Sequence, residues 1–282
     1  MTARAPGLRR VPSLGWRHDR GPRTGERALA EEVPIAFAYH GCSYAVMMAT
    51  PGDLTDFAYG FSLTEGVISA PADIEDLRVR PAEGGLVVNM TLAPDRRDAF
   101  WERRRYLAGP VGCGLCGLDS IAQVMRPCRT VTAELQVSPG QVADAVAALP
   151  RQQPLNRETR AAHAAAFWRR DVGLVAIRED VGRHNALDKL IGALLRQQIE
   201  PAEGMIVLTS RISVELVQKT AAAGAPVLVA VSAPTALAVS TANAAGITLI
   251  GIARDDGFEV LTYPHRVALS TPGSRKPDVC VA

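Results

Sequence analysis

Two cysteines, Cys113 and Cys116, sit three positions apart in the run Gly112-Cys113-Gly114-Leu115-Cys116-Gly117. Leu107-Ala108-Gly109-Pro110 breaks regular structure just before them. Glycine removes side-chain bulk, so both sulfurs can stand exposed on a loop. A structural cysteine is buried and inert, whereas a reactive one needs access and a stabilised thiolate. The pair therefore presents sulfur chemistry, and three forms of it compete. A dithiol redox site would use Cys113 as nucleophile and Cys116 as resolving thiol, but that motif belongs at a helix start after a strand. A zinc knuckle needs two more ligands, and only Cys128 lies nearby. A sulfur-carrying loop, in which one cysteine holds a persulfide, fits the glycine-rich flanks best. The bland reading is a turn that happens to hold two thiols.

A second set of chemistry-bearing residues follows a series of short apolar strands. Glu179-Asp180-Val181-Gly182-Arg183-His184-Asn185 comes after the first and Thr209-Ser210-Arg211 after the second. Ser232-Ala233-Pro234-Thr235 follows the third, and Ala253-Arg254-Asp255-Asp256-Gly257 the fourth. In an open α/β sheet, ligands bind beyond the carboxyl ends of the strands, where helix N-termini also aim N–H groups. Ser210, Ser213 and Thr235 are explained as helix caps. Capping does not explain why Arg183, Arg211 and Arg254 recur at successive strand ends. Arginines there suit an anionic ligand such as a nucleotide. His184 comes two residues after Gly182, which lets the backbone turn tightly, and Asp180 or Asp188 is placed to orient its ring. His163, in an alanine-rich run, reads as an ordinary helix histidine. Cys42 and Cys128 read as core residues, and Cys280 as part of a frayed tail.

The elements that must position these groups fall into two lobes. Residues 1–29 carry seven arginines among prolines and glycines and read as a disordered basic leader. Residues 30–135 read as a mixed α+β lobe that carries the cysteine loop. It has a hairpin through Val33–Tyr39 and Tyr44–Met48, a helix from Asp53, and strands at Leu77–Arg80 and Leu86–Met90. Residues 136–270 read as an α/β core. Helices are expected from Ser138 to Leu149, Glu158 to Trp168, Asn185 to Leu195, Ser213 to Ala223 and Thr235 to Ala245. Strands are expected at Leu174–Ile177, Met205–Leu208, Pro226–Val231 and Thr248–Ile252. Strands apolar on both faces alternating with helices predict a mainly parallel sheet. Residues 271–282 read as a flexible tail.

The chain has 282 residues, of which 48% are hydrophobic, enough for two cored lobes. Its net charge of +2 provides no global field for nucleic acid. No apolar run is long enough to span a membrane. Arg9-Arg10 is not followed by an apolar stretch, so a twin-arginine export signal is rejected. Five cysteines with no signal peptide point to a reducing compartment, the cytoplasm.

In combination these residues resemble the FdhD/NarQ family of formate dehydrogenase accessory sulfurtransferases. The resemblance rests on Glu32-Val33-Pro34-Ile35, Met47-Met48-Ala49-Thr50-Pro51 and Gly60-Phe61-Ser62-Leu63-Thr64-Glu65-Gly66. It rests also on the Cys113–Cys116 loop, on Glu179 through Lys189, and on Thr209-Ser210-Arg211-Ile212-Ser213. It implies a three-layer core related to cytidine deaminases and a homodimer. It implies that sulfur is taken from a cysteine desulfurase and passed to the molybdenum cofactor, bound as bis-molybdopterin guanine dinucleotide, for formate dehydrogenase. Cys113 would carry the persulfide, with Cys116 beside it. The cofactor-contacting stretch would be Ile252, Ala253, Arg254, Asp255, Asp256 and Gly257, joined by Arg183, His184, Asn185, Asp188, Ser210 and Arg211. The family usually shows an arginine-glycine-x-arginine run where this chain has Arg254-Asp255-Asp256-Gly257. A deaminase activity is excluded by the absence of a glutamate two residues after His163 and by the cysteine pair preceding it. A cofactor chaperone without sulfur chemistry is the remaining alternative.

Overall fold

A computed structural model describes residues 7–107 and 128–269. Two sheets carry the lobes. In the N-terminal lobe, β3 (Val33–Tyr39) and β4 (Cys42–Ala49) form a hairpin, as do β5 (Ile74–Ala82) and β6 (Gly85–Leu92). Parallel pairing of β3 with β6 joins them in the order β4-β3-β6-β5. Helix α1 (Leu54–Thr64) lays Phe57 and Phe61 on this sheet, and Phe61 stacks on Phe37 with centroids 4.6 Å apart. Phe100 of α2 (Pro94–Leu107) packs against Tyr39 and closes that core.

The second lobe opens with α3 (Pro139–Ala148), started by a capping box in which Ser138 and Gln141 satisfy each other's backbone N–H. Next come α4 (Pro154–Thr159), β7 (His163–Arg169) and β8 (Gly173–Asp180). Three strand–helix units follow the turn after β8. They are α5 (Arg183–Arg196), β9 (Met205–Leu208), α6 (Val214–Ala223), β10 (Val227–Ala230), α7 (Ala236–Ala245), β11 (Thr248–Arg254) and finally β12 (Gly257–Val260). Both α6 and α7 stop at a glycine in the left-handed region, Gly224 (φ 82°) and Gly246 (φ 74°), as helix ends commonly do. Side chains alternate across the sheet. Phe167, Ile206, Leu208, Leu228 and Leu249 join α5, α6 and α7 in one core. Trp168, Met205, Val207, Val229 and Ile250 join α3 in another.

Three expectations are corrected. The sheet is mixed, with order β12-β11-β10-β9-β7-β8. Only β9, β10 and β11 run parallel, while β7, β8 and β12 pair antiparallel. The helix expected over Glu158 to Trp168 ends at Thr159, and β7 takes over. Arg160 turns the chain at φ 58°, and Ala164 to Trp168 are buried between β8 and β9. Tertiary pairing here overrides alanine's helix propensity. The basic leader is not without structure: β1 (Leu8–Arg17) and β2 (Gly21–Ala30) form an antiparallel hairpin in continuous register from Leu8–Ala30 to Arg17–Gly21. Charge and proline content argue for disorder, but backbone pairing and a docked base outweigh them. Arg27 donates to the Thr159 carbonyl at 2.9 Å, and Arg10 pairs with Glu158.

Candidate functional site at the strand-end edge

Register places the chemistry. His163 opposes Asp180, Ala165 opposes Leu208, Leu208 pairs with Ala230, and Val229 with Ile250. The carboxyl ends of β8, β9, β10 and β11 and the start of β7 therefore lie along one edge. Arg183 and His184, Ser210 and Arg211, and the turn of the β11–β12 hairpin all leave from it. The ends of β8 and β11 are four strand spacings apart, about 19 Å. The arginines thus line an edge rather than cluster, and one phosphate cannot reach all three. An elongated anion can.

Local structure explains each placement. The amide of Thr209 donates to the Ala164 carbonyl, and the Ala164 amide donates to Thr209 Oγ1 at 2.8 Å. That exchange pins the turn carrying Ser210 and Arg211 to β7. Ser210 is buried and spends its hydroxyl on the Arg211 carbonyl, while Arg211 itself is exposed. Ile252 sits at φ 52°, where the pairing of β11 with β12 shifts register between Gly251 and Arg254. A β-branched residue in the left-handed region stores about 1–3 kcal/mol of strain, a cost found mostly at ligand sites. Arg254, Asp255, Asp256 and Gly257 are exposed beyond it, with Ala253 buried beneath.

Helix α5 begins at Gly182 with no side-chain cap. Arg183 Nε, on its first residue, is buried and has no partner among the described residues. A buried unpaired guanidinium N–H costs free energy, which an anion would recover. His184 Nε2 stands 3.4 Å from Ser213 Oγ and 3.8 Å from Glu215 Oε2. Burial, then the neighbouring Arg183 charge, lowers its pKa to about 4, so it is a neutral imidazole at pH 7. Burial and Arg183 also lower His163. Burial pushes the Glu215 carboxyl up, but hydrogen bonds from Ser213 and its own amide outweigh that and hold it low.

The remaining motif residues face the other way. Asp180 has no exposed side-chain surface and pairs with the equally buried Lys189 at 2.6 Å. Its Oδ2 accepts from Thr50 N and Thr50 Oγ1, and its Oδ1 from Gly182 N and Asn185 Nδ2. Asn185 also donates to the Met48 carbonyl. Asp188, fully buried, accepts from Thr64 Oγ1 and from Lys219, both at 2.8 Å. Asn185 and Asp188, expected to touch ligand, are thereby committed to holding α1 and β4 of the first lobe against α5 and α6. Asp56 of α1 is clasped by Arg178 at 2.6 Å and by Arg196. Asp56, Arg178 and Lys219 were not singled out in the sequence, and Thr50 and Lys189 stood there only as parts of motifs, with no role given to them. One signal was there: Lys189 lies inside the apolar stripe Ala186-Leu187-Leu190-Ile191, where a charge needs a buried partner.

Cys113 and Cys116 lie outside the described residues, between α2 and Cys128, which packs against the core of the second lobe. No helix among the described residues is long and apolar enough to cross a membrane.

Relatives carry the same plan. A protein from Desulfotalea psychrophila described as a formate dehydrogenase accessory protein superposes with a TM-score of 0.74 at 22% identity, covering 93% of this chain and 100% of that one. The sulfur carrier protein FdhD of Agrobacterium fabrum is 53% identical over 249 residues, 88% of this chain and 92% of that protein. Its namesake from Xanthomonas euvesicatoria is 46% identical over 255 residues, 90% of this chain and 91% of its own length. The pattern of the FdhD/NarQ family matches residues 30–268, and the chain belongs to that family.

Proposed function

We propose that the protein is a sulfur carrier serving formate dehydrogenase, working as a sulfurtransferase through a persulfide on Cys113. The thiolate of Cys113 attacks the terminal sulfur of a persulfide on a cysteine desulfurase. A new S–S bond forms, the donor's S–S bond breaks, and the donor leaves as a thiolate. Cys116, three residues on in the sequence, tunes or resolves that thiol. The acceptor is the molybdenum cofactor, held as bis-molybdopterin guanine dinucleotide and treated as substrate. The protein works in the cytoplasm as a homodimer, on a deaminase-related three-layer core.

The observation that carries this reading is the strand-end edge, with its unpaired Arg183 Nε and its strained Ile252. Its length of about 19 Å suits a dinucleotide better than a single phosphate. Arg183, Arg211 and Arg254 supply cationic contacts, His184 a neutral donor or acceptor, and Ile252 to Gly257 backbone groups. Gly257 stands where family members usually place a second arginine, so contact there is through the main chain.

The test is intact-protein mass spectrometry after incubation with a cysteine desulfurase and cysteine. The wild type gains the mass of one sulfur, and Cys113→Ser does not, and Cys113→Ser fails to activate formate dehydrogenase. A Cys113→Ser protein that still activates the enzyme leaves the chaperone reading instead.

A further inference from the structure

The β1–β2 hairpin lies N-terminal to the family match, which starts at residue 30. Among the described residues it pairs with no other strand. Its register gives it two unlike faces. Pro12, Leu14 and Trp16 share one face with Glu26, Thr24 and Pro22 opposite them. Arg9, Arg17, Arg23 and Arg27 share the other. Leu14 is 73% exposed and Trp16 66%, the two highest values among the large hydrophobic side chains of the described residues. Six arginines stand against only Asp19 and Glu26 over residues 8–30, in a chain whose net charge is +2. Arg9, Arg17 and Arg23 have no ion-pair partner among the described residues. Exposed tryptophan and arginine on one arm are the composition of interface anchors.

The hairpin is rooted at the rim of the strand-end edge. Gly7 lies beside Thr50, close enough that a Cβ on it would stand 3.5 Å from the Thr50 Cβ, and Thr50 is bound to Asp180 at the end of β8. Arg27 holds Thr159, four residues before His163 at the start of β7. A partner lying along the hairpin would stand beside the site.

We infer that this hairpin is the docking arm for the protein that delivers sulfur, a persulfide-bearing protein whose surface is acidic around an apolar slot. The inference rests on the sulfur-carrier reading. Cysteine-to-cysteine sulfur transfer requires two chains to touch at bonding distance, so the donor needs a docking surface on this chain. The cofactor, a small molecule, does not. A cationic arm speeds encounter with an acidic partner, and a small apolar contact suits a transient one. In the step it serves, the Cys113 thiolate takes the donor's terminal sulfur and the donor departs as its thiolate, with no external oxidant or reductant.

The experiment uses the full chain, a cysteine desulfurase as protein donor and inorganic polysulfide as small-molecule donor. Wild type, Leu14→Ser/Trp16→Ser and Arg17→Glu/Arg23→Glu are compared, their folds checked by thermal melting. Desulfurase binding is expected to weaken at least about tenfold in both variants, as truncation of interface anchors does. Wild-type binding should fall with added salt, while polysulfide loads all three chains equally. Equal binding by the variants, or no binding by the wild type, overturns the arm. So does loss on substitution of affinity for phosphatidylglycerol vesicles, or of self-association, without loss of desulfurase binding. Failure of polysulfide to load Cys113 in the wild type counts against the persulfide reading, and the binding measurement still decides the arm.

Discussion

Asp180 and Lys189 form an ion pair at 2.6 Å in which neither side chain has exposed surface, and Thr50 of the other lobe bonds to both. The pair joins the end of β8 to α5 and ties each to the strand end after β4. Its carboxylate also holds the Gly182 amide, so it fixes the turn from which Arg183 and His184 emerge.

Removing one member leaves the other charged and unpaired in the interior. Lys189→Met is expected to destabilise the protein by about 3–5 kcal/mol. Asp180→Asn added to it should restore part of that loss, because the uncompensated charge is gone. Urea denaturation of the three proteins measures this, and a double variant no more stable than Lys189→Met would contradict it.

The lobes meet where α1 crosses α5 through two glycines. A Cβ on Gly60 would lie 1.7 Å from the Asp188 carbonyl oxygen, and one on Gly192 would lie 1.8 Å from that of Asp56. Backbone cannot yield as a flexible side chain can. Gly60→Ala and Gly192→Ala should each cost roughly 3 kcal/mol, the upper end for overpacking. Gly140→Ala in α3, whose nearest neighbour would be Ser138 Oγ at 3.9 Å, should be neutral or gain up to about 1 kcal/mol. Calorimetric melting of the three variants separates these outcomes.

His184 makes stability depend on acid. Its pKa falls from 6.5 unfolded to about 4 folded, first through burial and then through Arg183. Between these values the unfolded chain binds a proton that the folded chain does not, so stability declines as pH drops through that window. The contribution is fully present above 6.5 and stops changing below 4. His184→Gln should flatten this part of the curve, with His163 and His40, also lowered, supplying what remains. NMR titration should show His184 unprotonated at pH 5.5; a midpoint near 6.5 would sink the prediction.

The strand-end arginines act on ligand. GDP binding, followed by calorimetry, is expected to weaken with salt and to drop about tenfold or more in Arg211→Ala, the loss of a charge-assisted contact. Equal binding by wild type and variant would move the nucleotide elsewhere.

Much of this was legible in the residues themselves. The apolar runs Met205–Leu208 and Val227–Ala230, the stripe of α5, Ser138 before α3 and the turn at His40-Gly41 are local signals, and local physics made the elements they announce. The strand-end rule pointed to Arg183, Arg211 and Arg254, because the ends of successive strands in such a sheet share an edge. The rest depended on partners far along the chain. No local signal says that β7 will slot antiparallel between β8 and β9, which turned an alanine-rich run into a strand. None says that Arg27 will find the Thr159 carbonyl and anchor a hairpin in a basic leader. Asp188 and Asn185 are polar residues beside a predicted site, and from sequence that proximity reads as ligand contact. Only the packing of α1 and β4 on α5 and α6, set by Gly60, Gly192, Lys189 and Lys219, shows that their hydrogen bonds are spent joining the lobes.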